Sequence, residues 1–189
     1  DAAIVAQSLG AHITPSPFLG TAVMAPTALM ASGGQYDDLL AEIAAGTHRV
    51  GIAFSEAIKR RNDAQVEARD GALFGKSLFA FDSDADSYLV ADQKQHLYLV
   101  AADDPGLTRT HLTTVDKTRR TVELTYDNAA AQSVSTDVRV FESVLDIGRV
   151  AIAADTMGAA QNMLDQAVEY AKQREQFNRP IGSFQAVKH

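Results

Sequence analysis

From about Asp137 to Lys172 the apolar residues Phe141, Val144, Leu145, Ala153, Met157, Ala160, Leu164, Ala167, Val168 and Ala171 recur at three- and four-residue steps, and no proline interrupts them. Unbroken, such a helix is about 54 Å long at 1.5 Å per residue. A helix of that length needs neighbours along its whole course, in a bundle or across a subunit interface. After it, Pro180 and Gly182 mark a turn, and Ser183 is expected to cap a further helix beginning at Phe184 and Gln185.

Upstream the period changes. Arg49 to Ser55, Ala72 to Phe81, Tyr88 to Ala91, Leu97 to Ala101 and Thr121 to Tyr126 are short and β-rich, separated by turns such as Asp70-Gly71 and Asp104-Pro105-Gly106. The pattern predicts an antiparallel sheet or small barrel of meandering strands. No helix alternates with these strands, which argues against a doubly wound nucleotide fold. The first third reads helical again. Ala2 to Leu9 form a short helix stopped by Gly10, Pro15 and Pro17 hold an extended connector, and Thr21 to Ala31 form a second helix ending at Gly33-Gly34. Tyr36 to Ala45 form a third, with Gly46 as its left-handed stop. The expected class is therefore α+β: a helical N-terminal part (1–46), a middle β-domain (47–135) and the first helices of a C-terminal helical region (136–189). Asp1 lies inside one helical pattern and His189 in the middle of another, so both ends are expected to continue in a longer chain.

A chain of 189 residues with 46% apolar and 22% charged residues has ordinary globular composition. A net charge of −7 gives no reason to expect nucleic acid or an anionic membrane surface as partner. There is no apolar run long enough to cross a bilayer and no basic-then-apolar leader, so the default expectation is a cytosolic protein. Cysteine is absent, which excludes disulfides, zinc thiolate sites and cysteine nucleophiles.

Motifs taken singly are weak. Gly71, Gly75, Lys76 and Ser77 approximate a phosphate loop but fall one residue short of its spacing, and they sit in a strand pattern, where a β-hairpin is the simpler reading. The histidines at 12, 48, 96, 111 and 189 show no metal-ligand spacing, and no metal is expected. Lys59, Arg60 and Arg61 read as a solvated loop. Asp146 and Arg149 lie on one helix face, and Arg174 follows Arg149 by 25 residues, nearly a whole number of turns. On spacing alone these are surface ion pairs.

The run Arg174-Glu-Gln176-Phe177-Asn-Arg-Pro180-Ile181, followed by Phe184-Gln185 and His189, resembles the acyl-CoA dehydrogenase signature R-x-Q-F-G-x-P-I, then F-Q and a His. The preceding helix ends Ala167-Val-Glu-Tyr170-Ala171, with Gly158-Ala159-Ala160 further back and Asp146-Ile-Gly-Arg149 matching the family's D-x-x-R. Weaker echoes are Leu9-Gly10, Pro15 to Phe18, Leu40 to Gly46 and Asp116-Lys-Thr-Arg119-Arg120, so the likeness spans essentially the whole chain.

The resemblance implies a helical head, a β-domain and a C-terminal four-helix bundle assembled as a tetramer. It implies FAD as cofactor, an acyl-CoA thioester as substrate, an electron-transfer acceptor as partner, and α,β-desaturation as the reaction. By the same resemblance Arg174 reaches the FAD pyrophosphate, and Gln176, Phe177 and Gln185 meet the same dinucleotide, held mainly by a neighbouring subunit. Phe54 and Ser55, with Glu56, correspond to the pair beside the flavin. Asp146 and Arg149 line or brace the acyl-CoA channel. No catalytic base is expected within the segment: the family's alternative place for it, just before the Arg of D-x-x-R, holds Gly148.

Three departures stand out. The usual P-x-x-G-S-D after the flavin-side pair reads Ala57 to Asn62, Leu78 and Ala80 stand where the family has Trp and Thr, and Asn178 replaces a glycine. Some actinobacterial members are mixed tetramers in which one kind of subunit has lost part of its flavin site and which act on bulky esters, including steroid side chains; the chain looks like such a subunit. Two other readings stay open: a non-catalytic subunit completing a partner's site, and a flavin monooxygenase of related fold.

Overall fold

The computed structural model describes residues 1–59 and 64–188. The chain divides into two compact units, one formed by Pro15–Val150 and the other by Asp1–Thr14 with Ala151–His189. The boundary between these units falls inside the long helix, between Val150 and Ala151.

In the larger unit a π-helix (Phe18–Met24) runs into α2 (Ala25–Met30), and α3 (Asp37–Ala45) follows. Helix α3 begins with Asp37 and Asp38, which suit the positive end of its dipole, and stops at Gly46 in the left-handed region at φ 74°. The expected second helix thus starts three residues early, and its first seven residues bond with π rather than α spacing. Thr21 of that segment is buried, and its hydroxyl accepts a bond from the Val50 N–H at 3.0 Å.

The strands are β1 (Val50–Ala53), β2 (Val66–Arg69), β3 (Ala72–Phe81), β4 (Ser87–Ala91), β5 (Leu97–Ala101), β6 (Leu107–His111), β7 (Thr121–Ala130) and β8 (Gln132–Ser135), with a short α4 (Ser55–Ile58) after β1. They form one sheet in the order β6-β7-β3-β1-β4-β5-β8, with β2 paired to β3. The expectation of an all-antiparallel meander is corrected here. β1 and β4 pair in parallel, Val50 opposite Ser87 and Ala53 opposite Val90, because β2 and β3 intervene and the chain crosses over before β4. The sheet is mixed, with β6 and β8 at its ends.

Period-two alternation explains why β4 is buried throughout. Leu89 and Ala91 join Val50, Ile52, Leu29, Phe141 and Val144 in a core under the helices. Tyr88 and Val90 join Leu73, Ala80, Val122, Leu124 and Tyr126 in a second core on the opposite face. Gly51 makes room for Tyr88, since a Cβ there would stand 2.6 Å from the tyrosine ring.

The Gly71–Ser77 segment is the hairpin strand that its flanking pattern suggested. Arg69 pairs with Ala72 across Asp70 (φ 49°) and Gly71 (φ 82°), a two-residue turn with both residues left-handed. Strand β7 runs four residues past its expected end, because Asn128 (φ 58°) is absorbed as a bulge opposite Leu73 and Phe74.

The smaller unit packs α1 (Ala2–Ala11) on the C-terminal part of α5 (Val138–Gln173). Gly10 does not stop α1, as expected from its type. It is buried within the helix, and a Cβ on it would lie 1.9 Å from the Asp155 carbonyl oxygen. Gly158 is its counterpart on α5, with a Cβ position 1.9 Å from the Gln7 oxygen. Asn162 seals the crossing by donating to the Ala11 carbonyl.

After α5 come a two-stranded hairpin, β9 (Glu175–Gln176) and β10 (Arg179–Pro180), a 3₁₀ turn (Ile181–Ser183) and α6 (Gln185–Lys188). Ser183 ends the 3₁₀ turn instead of capping α6. Phe184 precedes α6 and accepts from the N–H groups of Val187 and Lys188 at 3.0 Å. Among the described residues no helix is long and apolar enough to cross a membrane.

Candidate functional site

The flavin-side residues expected at the end of the first strand sit where β1 gives way to α4. Phe54 is buried, its ring 5.3 Å from that of Phe141 and tilted by 51°, so its side chain serves the core. Ser55 opens α4 rather than ending a strand, and its hydroxyl donates to Glu56 Oε2 at 2.7 Å. Glu56 is itself buried, and its Oε1 accepts the Leu78 N–H from β3 at 2.9 Å. One carboxylate therefore holds the Ser55 hydroxyl and a β3 peptide in fixed relation.

Beneath it Ser77 and Tyr126 share a hydrogen bond of 3.2 Å between their hydroxyls. Burial drives the Tyr126 phenol far above its usual range, the Ser77 bond opposes this and the Glu56 charge adds to it, so Tyr126 stays neutral. Ala80, at the family's threonine position, is fully buried in the second core. The substituted Ala57–Asn62 stretch is described only as far as Lys59.

Asp146 and Arg149 are brought together on α5, Arg149 Nη1 2.7 Å from Asp146 Oδ1, with both side chains about two-thirds exposed (70% and 66%). Gly148 between them is buried; a Cβ on it would meet Met24 Sδ at 3.0 Å and Met24 Cε at 3.2 Å, so the π-helix supplies its neighbour.

The remaining candidates lie in the smaller unit. Arg174 ends the α5 hydrogen-bond run by donating to Tyr170, and its carbonyl accepts the Ile181 N–H, both at 2.8 Å, so the hairpin folds back on the helix end. Gln176 pairs with Arg179 across Phe177 (φ 54°) and Asn178 (φ 61°). This is a turn of the same left-handed kind as at Asp70-Gly71, which glycine or asparagine tolerates best and phenylalanine poorly. Phe177 is 89% exposed, with its ring edge-on to Phe184 at 6.2 Å. The Arg179 guanidinium lies 3.9 Å from the Phe184 ring centre. Gln185, exposed, opens α6.

The end of α5, the hairpin and the start of α6 thus expose a guanidinium, two side-chain amides and an aromatic ring within twelve residues of sequence. That set suits a phosphorylated aromatic cofactor: a planar fork for phosphate oxygens, amides for heterocycle edges and a ring for stacking. The structure groups Arg174, Gln176, Phe177 and Gln185 in one unit, and Phe54, Ser55, Asp146 and Arg149 in the other. The reading from sequence did not include the Glu56 clamp on Leu78, the Ser77–Tyr126 bond or the Arg179–Phe184 stack. A charged residue beside the Ser of a strand end hinted at the first, and nothing local signalled the others.

Residues 138–189 match the profile of the acyl-CoA dehydrogenase C-terminal domain. Over 196 aligned residues the chain is 36% identical to acyl-CoA dehydrogenase IpdE2 of Mycobacterium tuberculosis, covering all of this chain and 49% of that protein. IpdE2 of Mycolicibacterium smegmatis is 31% identical, over all of this chain and 50% of its own length. Among solved structures, a variant of the Tcur3481–Tcur3483 steroid ACAD superposes with a TM-score of 0.86 at 28% identity, over 100% of this chain and 54% of that one. The ChsE4–ChsE5 complex of Mycobacterium tuberculosis gives 0.82 at 26%, over 99% and 54%. The chain spans about half the length of the curated relatives it matches. With these matches running from the first helix to the signature hairpin, the chain belongs to the acyl-CoA dehydrogenase family.

Proposed function

We propose that this chain is part of an FAD-dependent acyl-CoA dehydrogenase subunit, acting in α,β-desaturation of an acyl-CoA thioester with a bulky, steroid-type acyl group. The observation that carries it is the exposed segment after α5, in which Arg174, Gln176 and Phe177 of the hairpin and Gln185 at the start of α6 all keep their side chains in solvent rather than in a core of this chain. When bound, FAD supplies the hydride acceptor. Arg174 would fork onto the pyrophosphate of a flavin seated largely on a neighbouring subunit, with Gln176 and Gln185 bonding the dinucleotide and Phe177 packing on it. Ser55, fixed by Glu56, would face the flavin of its own subunit. Asp146 and Arg149 would brace the acyl-CoA channel once a neighbour covers them. The names of the relatives, steroid ACAD and IpdE2 among them, support the acyl class. A tetramer, an electron-transfer acceptor and a cytoplasmic setting belong to the same reading.

Arg174→Ala in the full-length oligomer tests it. FAD occupancy should fall about tenfold at limiting flavin, the loss of a charge-assisted bond, with the melting temperature of the flavin-free protein unchanged because the side chain is exposed. Unchanged flavin content would remove the basis of the assignment.

A second reading has a specific observation in its favour. Gly148 carries no carboxylate and faces the Met24 side chain. A subunit that also lacked a base in the rest of its full-length chain would complete a partner's flavin site without turning over substrate itself.

A further inference from the structure

On the larger unit, the connection from β6 to β7 and the β3–β4 turn border a cleft of about 360 Å³, open to solvent and lined by Ser83, Asp84 and residues from His111 to Thr121. Its walls are tied to the sheet: the Leu112 N–H donates to the Thr121 carbonyl at 3.1 Å, and the Asp82 N–H to the Arg120 carbonyl at 3.0 Å. The chain carries −7 overall, yet Lys117, Arg119 and Arg120 converge on this cleft.

Both carboxylates of the lining are already engaged. Asp84 accepts from Arg120 Nη1 at 2.5 Å, and Asp116 Oδ1 accepts the N–H and hydroxyl of Thr118 at 2.8 and 2.7 Å. Those Thr118 bonds hold the Asp116 carboxyl below its usual range, so it stays ionised. A guanidinium has five donors, and one bond to Asp84 leaves Arg120 others. Lys117 is exposed and in no ion pair with a described residue. Thr121 belongs to the lining, and its Oγ1, closed off from solvent, makes no hydrogen bond. A buried hydroxyl without a partner is unfavourable, and a turn of this side chain toward the cleft would let it donate to an anion.

We propose that this cleft binds a phosphate group carried by a small molecule, with Lys117 and Arg120 as its charged donors and Thr121 as its buried one. The volume suits a ligand of nucleotide-fragment size. The site is separate from the Arg174 hairpin and does not depend on the flavin assignment.

Isothermal titration of the full-length protein at constant ionic strength decides the matter, with inorganic phosphate in one arm and adenosine 3′,5′-bisphosphate in the other. One site per chain is expected, weakened about tenfold in Lys117→Glu and about threefold in Thr121→Val. Thr121→Val keeps the side-chain shape and breaks no protein hydrogen bond, so its folding is safe. Tighter binding of the bisphosphate would mark a nucleotide-borne phosphate, and equal binding a bare one; either result supports the site. No binding of either at millimolar concentration, or unchanged affinity in Lys117→Glu, overturns it.

Discussion

At the scale of single residues, the chemistry of this chain is decided by which carboxylates are free. A base that removes an α proton needs an unengaged oxygen near the thioester. Glu56 has both oxygens occupied, by Ser55 and by Leu78, and Asp146 is held by Arg149 on an exposed helix face. Position 148 offers only hydrogen, next to Met24. These arrangements accord with the expectation that the base lies outside residues 1–189. In the full-length, flavin-loaded oligomer, Glu56→Gln and Asp146→Asn should keep α-proton exchange within about tenfold of the parent, whereas loss of a true base costs about 10²–10⁴-fold. Abolished exchange in either variant with flavin retained would place the base here after all. Arg174, Gln176 and Gln185 could be named only because their run resembles the family signature; on spacing alone Arg174 read as a surface charge. The substitution at 178 also makes local sense, since asparagine accepts φ 61° better than any other non-glycine residue. What could not be read was burial. Nothing near Glu56 in sequence says that β3 folds back to give it the Leu78 N–H.

At the scale of elements, the same contrast separates α5 from the rest. Its 3.6-residue period is carried by its own side chains, so its course could be read to within a residue or two. Strand β6, Leu-Thr-Arg-Thr-His, exposes four of its five residues and carries no apolar alternation to read. The parallel pairing of β1 with β4 is a property of the crossover, not of either strand. Gly10 shows how a local rule can mislead. Glycine near a helix end usually terminates it, but here the missing Cβ lets a second backbone approach. The paired glycines predict that Gly158→Ala separates α1 from α5, because its methyl would lie 1.9 Å from a backbone oxygen that cannot swing aside. Overpacking of that kind costs about 1–3 kcal/mol, and forced backbone contact more. Amide exchange over residues 2–11 should accelerate while β4 and β5 stay protected. Unchanged protection of α1 in that variant would contradict the close crossing.

At the scale of the whole molecule, the flavin site proposed above would be built from two halves that differ in their likeness to the family. The half that would seat the flavin of this subunit is altered: Leu78 and Ala80 replace a Trp and a Thr, and Ala80 is enclosed in the core where its methyl meets only protein. The half that would be offered to a neighbour keeps Arg174, Gln176, Phe177 and Gln185, all exposed, with only Asn178 of the turn changed. Exposed apolar side chains on α5, including Met157, Met163, Leu164 and Tyr170, add a surface that a helical bundle or another subunit would cover. If identical subunits assembled, every site would join the weakened seat to the intact hairpin, and flavin would bind poorly everywhere. Assembly with an intact homologue gives sites of unequal quality instead, one kind built on the partner's seat and completed by this Arg174. The full-length chain produced alone should then carry well under one FAD per protomer, and co-production with such a homologue should raise flavin content while leaving it below one per chain. The measurement is flavin absorbance per protomer after gel filtration. A yellow homotetramer with one FAD on each subunit would end the paired-subunit reading, and would mean that backbone N–H groups, which any residue but proline supplies, hold the flavin without the usual side chains.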